Sequence, residues 1–146
     1  MKIIVRRTKL WSLWNLLFRD ADLERICIAF GDIIFAPNRD IAQDLIVHEM
    51  THMRQHRSSY VVAFVWWIRY IFSKKFRYSQ ELEAYAEQLK YVDNLARQIK
   101  DINKRFKYHH DMKTALAGIL SSPMYGDMVE YSVALKDLGA MVPWIK

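Results

Sequence analysis

The chain has 146 residues, 52% of them apolar and 14% aromatic, with one cysteine and a net charge of +6. That composition excludes a disordered chain and leaves enough apolar material for a real core. The lone Cys27 cannot close an internal disulfide, so the fold does not depend on oxidation and suits a reducing compartment.

The excess positive charge falls at Lys2, Arg6, Arg7 and Lys9, between Arg69 and Arg77, and between Arg97 and Lys107. Its plain reading is a solvated basic surface. Attraction to nucleic acid or to an anionic surface is the sharper alternative. No zinc-finger spacing or RNA-binding signature is present, which disfavours nucleic acid as the partner.

In chain order, Lys2 to Arg7 is rich in β-branched residues and could form a short strand. Leu10 to Phe18 reads as a short amphipathic helix or a packed connector. It is not a clean secretory signal, because Ser12 and Asn15 interrupt it and Arg19-Asp20 follows where small residues are needed. Arg25 to Phe30 and Ile33 to Ala36 flank Gly31-Asp32, which predicts a β-hairpin with a two-residue turn. Pro37 to Asp40 breaks the strand. Asp40 and Gln43 resemble a capping box, and a helix is expected from Ile41 to about His56.

Ser58-Ser59 offers a break and a new cap. The helix expected next, Tyr60 to Phe72, is apolar nearly all round and so reads as central and buried, with an interfacial helix as the alternative. Arg69 interrupts its apolar run well short of the roughly 20 residues that a membrane-spanning helix needs. Ser79 would cap a third helix from Gln80 to about Arg105, with Leu82, Tyr85, Leu89, Val92, Ala96, Ile99 and Phe106 as its core stripe. Helices are also expected over Asp111–Leu120 and Asp127–Leu138, the latter closed by Gly139. No linker or repeat divides the chain. The expected architecture is α+β, a mostly helical single domain (residues 1–146) with a small N-terminal β-sheet or hairpin.

The chemistry centres on His48-Glu49-Met50-Thr51-His52. Two histidines at i and i+4 on one helix face can grip one metal ion, and the intervening Glu can deprotonate a water beside it. Chance gives this pattern in a chain of this size about once in a hundred.

A catalytic zinc takes three protein ligands and leaves one position open. His56 continues the spacing, but eight residues of helix rise about 12 Å and metal–nitrogen bonds are about 2 Å, so one ion cannot hold both ends. The better source is Ser79-Gln80-Glu81-Leu82-Glu83-Ala84-Tyr85-Ala86. Glu81 and Glu83 lie about 200° apart on a helix, so only one can face the ion. Glu83, at the edge of the expected buried stripe, is the preferred ligand and Glu81 the runner-up.

His48-Glu49-Met50-Thr51-His52 with Gln55, an aromatic helix, and then Glu81-Leu82-Glu83-Ala84 resembles the gluzincin branch of zinc metallopeptidases. The likeness is to small phage- and bacterium-encoded domains with His-Glu-x-x-His-x-x-Gln and Glu-x-Glu-Ala motifs, and it covers about Ile26 to Gln88. The resemblance implies a zincin-like domain with Zn²⁺ held by His48, His52 and Glu83, and with Glu49 as general base in hydrolysis of a peptide or protein substrate. Zinc lowers the pKa of its water, and Glu49 takes the proton as the water attacks a polarised carbonyl. Ile33 to Ala36 could hold an extended peptide by β-addition. Tyr125, His109 and His110 are candidates to stabilise the oxyanion, Tyr125 first. Gln55 could orient a ligand.

A cytoplasmic location is expected, or a virion-associated one if the chain is phage-encoded. Two rival readings are a metal-stabilised, non-proteolytic interaction module and a basic nucleic-acid-binding domain with an incidental motif.

Overall fold

The structure is a computed structural model and describes residues 2–5, 26–38 and 40–144. Helices dominate, and a three-stranded sheet stands at the N-terminal side, an α+β arrangement as expected.

The strands are β1 (Lys2–Val5), β2 (Ile28–Phe30) and β3 (Ile33–Ala36), in the order β1-β3-β2. β2 and β3 form the expected hairpin around Gly31-Asp32. Gly31 has φ +61°, and a Cβ there would collide with the ring of Tyr60, so the turn and the close approach both require glycine. β1 pairs with β3 in parallel, Lys2 opposite Ile33 through Val5 opposite Ala36.

β3 is therefore the central strand, hydrogen-bonded on both sides. That corrects the expectation of peptide addition at Ile33–Ala36, because no free edge exists there. The helix expected over Leu10–Phe18 lies outside the described residues.

Helix α1 spans Gln43–Gln55. It starts later than the capping-box reading requires. Ala42 occupies the N-cap without a side-chain hydrogen bond, and Gln43 is the first helical residue instead of the third, so Asp40 cannot cap it. Met53 packs with Cys27, Ala29, Ile34 and Ala36 into a small core under the sheet.

Helix α2 spans Tyr60–Phe72, with Ser59 at its N-cap accepting from the Val62 amide at 3.5 Å. It is one-sided, which corrects the expectation of a central helix. Ala63, Trp66 and Tyr70 are buried, while Val61, Phe64, Val65, Ile68 and Phe72 are exposed. The helix packs on β2 and on the helix that follows.

Helix α3 spans Lys74–Ala96 and is capped by Ser73, whose Oγ accepts from the Phe76 amide at 3.2 Å. It starts before the expected Ser79 cap and ends before Arg105. Asp101 explains the early end: its Oδ1 accepts from Asn103 and Lys104 amides at 2.8 and 3.2 Å and starts helix α4, Ile102–Leu120. Phe106 thus leaves the core stripe and is exposed. A short 3₁₀ turn, Pro123–Tyr125, ends at Gly126 in the left-handed region with φ 76°. Helix α5, Tyr131–Met141, runs through Gly139 instead of stopping there.

The main core gathers Trp66, Tyr70, Tyr85, Leu89, Leu116 and Leu138 from four helices. Each such side chain contributes about 1.5–3 kcal/mol by leaving water. Arg77 ties three elements together from within this core. Its Nη1 donates to the Tyr70 and Ile71 carbonyls at 2.7 and 3.1 Å, and its Nε to the Tyr125 carbonyl at 3.0 Å. Among the described residues, no helix is long and apolar enough to cross a membrane.

Candidate metal centre

α1 presents His48 and His52 one turn apart, and their Nε2 atoms stand 3.1 Å from each other. α3 crosses α1 and delivers Glu81. Its Oε2 lies 3.3 Å from His48 Nε2 and its Oε1 3.2 Å from His52 Nε2. All three side chains are buried and together form a group that could hold a metal ion.

The spacing tests that fit. Atoms bound at about 2.0–2.1 Å in a tetrahedron stand about 3.3 Å apart. The separation of 3.1 Å between the two Nε2 atoms, and those of 3.3 and 3.2 Å that they make to two different oxygens of Glu81, are close to that value, and one donor atom from each residue lies within 4.8 Å of the other two. Its donor set of two imidazoles and a carboxylate suits Zn²⁺.

Hydrogen bonds fix the orientation of these groups. Gln55 Nε2 donates to the Gln80 carbonyl at 3.0 Å, so its Oε1 faces His52 Nδ1 at 2.8 Å as an acceptor. His52 then carries its proton on Nδ1 and turns Nε2 toward the shared centre. Tyr70 donates to Glu81 Oε1 at 2.6 Å. His48 lies against the Tyr85 ring at 4.3 Å between centroids, and His52 against Trp66 at 5.4 Å.

Burial sharpens the electrostatics. Burial alone would push His52 down, but Glu81 outweighs it, with help from Glu49 and Gln55, and raises His52 to about 9. Burial would likewise raise Glu81, yet His52 and His48 hold its carboxyl well below the ordinary range. Glu49 goes the other way: burial raises it, and the two histidines only partly oppose this. Burial and then Glu49 push the Cys27 thiol up to about 12, which keeps it protonated and unreactive.

The structure brings Glu81, not Glu83, to the histidine pair. Glu83 is exposed and reaches the site only through Gln55, whose Nε2 donates to Glu83 Oε2 at 3.0 Å. The cause is the face of α3 that packs on α1. A helix beginning at Lys74 buries Arg77, Glu81, Ala84, Tyr85 and Gln88 on one side, with Glu81 in the middle of that stripe. Glu83 is about 200° away. The signal was present as the i−4 step from Tyr85 to Glu81, but Leu82 at i−3 competed for the same stripe.

His56 is buried at the C-cap of α1, beside Trp66, and stands outside the metal group, as helix rise requires.

Glu49 is buried with its Oε2 lacking a hydrogen-bond partner, while the Ala29 backbone bonds to the same carboxylate. A cavity of about 30 Å³ opens among His48, Glu49, His52, Glu81 and Tyr125. Of the three oxyanion candidates only Tyr125 lines it, with its hydroxyl 2.9 Å from that of Tyr85. His109 is held by Asp93 at 2.7 Å, and His110 is exposed against Phe106. Sequence reasoning missed Tyr70 and Trp67. Trp67 Nε1 donates to the Ala29 carbonyl at 3.2 Å and covers the outer edge of β2.

Comparison with known proteins finds no family model, curated protein or solved structure that matches this chain.

Proposed function

We propose that this chain is a zinc-dependent peptidase of the gluzincin kind, with His48, His52 and Glu81 as ligands and Glu49 as general base. The observation that carries the reading is Glu49 itself. A buried carboxylate oxygen without a partner costs roughly 1–3 kcal/mol or more, and a purely structural metal site has no use for it. A general base beside the ion needs that free oxygen.

When bound, a zinc ion lowers the pKa of a coordinated water toward about 7 and polarises a carbonyl. Glu49 receives the proton of the attacking water on its free oxygen and passes it to the leaving amine. Its raised pKa makes it a more willing acceptor than an exposed Glu. Tyr125 lines the same cavity, and burial keeps its hydroxyl protonated, so it serves as donor to the carbonyl oxygen as charge builds there. Gln55 and Tyr70 hold His52 and Glu81 in position.

A second reading, a metal-stabilised module without proteolysis, draws on two observations. The cavity is only about 30 Å³, room for an ion and little more, and the Ala29 backbone of β2 is engaged by Glu49 and Trp67, not free to pair with a peptide. Here the ion serves to clamp α1 to α3.

Zinc-loaded protein assayed against a quenched-fluorescent peptide library separates the two. The peptidase reading expects cleavage, and a Glu49→Gln variant that keeps its zinc but loses about 10²–10⁴-fold in rate. No cleavage by either protein, with a chelator lowering the melting temperature of both, establishes the second reading instead.

A further inference from the structure

The outer face of α2 belongs to neither core nor metal centre. Val61, Phe64, Val65, Ile68 and Phe72 are 76%, 61%, 53%, 43% and 83% exposed. Their spacing places them within about 100° of one another around the helix, a single continuous stripe. The opposite stripe of Ala63, Trp66 and Tyr70 is buried. A soluble surface scatters its apolar residues singly, whereas a contiguous stripe of large ones marks a contact.

The charges around that stripe select the partner. No Asp or Glu lies between Glu49 and Glu81. Arg69 sits on α2 beside Ile68 and Phe72, Lys74 and Lys75 follow its end, and Arg57 precedes its start, all exposed. Among the described residues none of these four pairs with a carboxylate. Arg69 stacks on the Phe76 ring at 4.3 Å and Lys74 donates to the Asp127 carbonyl at 3.5 Å, contacts that leave their charge unneutralised. An apolar helix face bordered by such exposed cations has the chemistry of an interfacial helix, with side chains entering the acyl boundary and cations meeting lipid phosphates. The helix is too short and too one-sided to span.

We infer that the exposed Val61–Phe64–Val65–Ile68–Phe72 face of α2 docks this protein onto an anionic lipid bilayer, with α2 lying in the plane of the membrane surface. Trp66 and Tyr70 on the inner side of the same helix stay in the core, so docking leaves the metal centre intact. The inference does not depend on the peptidase reading.

The test is flotation of the full chain with phosphatidylcholine vesicles containing about one-third phosphatidylglycerol, beside pure phosphatidylcholine vesicles. The expected result is flotation with the anionic vesicles only, and release at high salt. A Phe64→Asp/Phe72→Asp variant with an unchanged melting temperature should bind about tenfold or more weakly. Flotation that persists in that variant would overturn the proposal. So would no flotation of the wild type. In that case a lowered melting temperature in the variant assigns the face to residues 6–25 of this chain, and a dimer converted to monomer in sedimentation assigns it to a second copy.

Discussion

Glu81 Oε2 on α3 stands 3.3 Å from His48 Nε2 on α1. The two residues are thirty-three positions apart, and their meeting turns a two-histidine motif into a three-point site. It also ties α1 to α3, the pair of helices that frame the cavity. Replacing Glu81 by Gln should therefore lower zinc affinity by more than about a hundredfold, while Glu83→Gln should change it by less than about tenfold. Competition with a chromophoric chelator measures both. Equal losses would mean that the two carboxylates share the ion.

Tyr70 offers a finer test. Its hydroxyl is the donor that fixes Glu81 Oε1, at 2.6 Å. Tyr70→Phe removes that donor and little volume. It should weaken zinc binding about tenfold and destabilise the metal-free fold by about 1–3 kcal/mol. Titration with zinc and chemical unfolding read the two effects separately.

The metal-free protein should have a defined pH response. His52 is raised to about 9 from an ordinary 6.5, so its contribution to stability is fully present below about 6.5 and is lost as pH rises through 9. Glu81 is depressed, so its contribution is present above its ordinary 4.5 and is lost as pH falls below that. Melting temperature of chelator-treated protein should peak near pH 5 to 6.5 and decline toward pH 9, with His52 alone worth on the order of 3 kcal/mol at most. A Glu81→Gln variant should lose most of the decline. A profile that instead rises from pH 6.5 to 9 would contradict the His52–Glu81 pairing.

Metal uptake should show the same linkage from the other side. A ligand histidine must be deprotonated, so zinc binding at neutral pH should release a proton from His52. Calorimetry in buffers of different ionisation enthalpy counts it. Saturating zinc at about a thousand times its dissociation constant should add about 4 kcal/mol to stability, and chelation should take that away.

Much of this is legible in the amino-acid sequence. The Gly31-Asp32 hairpin, the histidine helix and the bounds of α2 followed from turn chemistry, capping and periodicity. The exclusion of His56 followed from helix rise alone. The choice between Glu81 and Glu83 did not, because it depends on which face of α3 packs on α1. The start of α3 was hidden too, since Ser73 and Ser79 are both reasonable caps and Ser73 is the one used. Nor could the sequence reveal that α2 carries an exposed apolar face, since periodicity reports side-chain character and not the presence of a partner. The β1–β3 pairing, which makes Ile33–Ala36 a central strand, joins residues too distant for any local signal.

His48, His52 and Glu81 are proposed to hold one ion between them. Anomalous diffraction across the zinc edge, from crystals of protein loaded with zinc, tests it most directly. The expected result is one peak at about 2.0–2.2 Å from both Nε2 atoms and a Glu81 carboxylate oxygen, with Glu83 outside bonding distance. A peak bonded to Glu83, or zinc bound anywhere but between the two histidines, would contradict it.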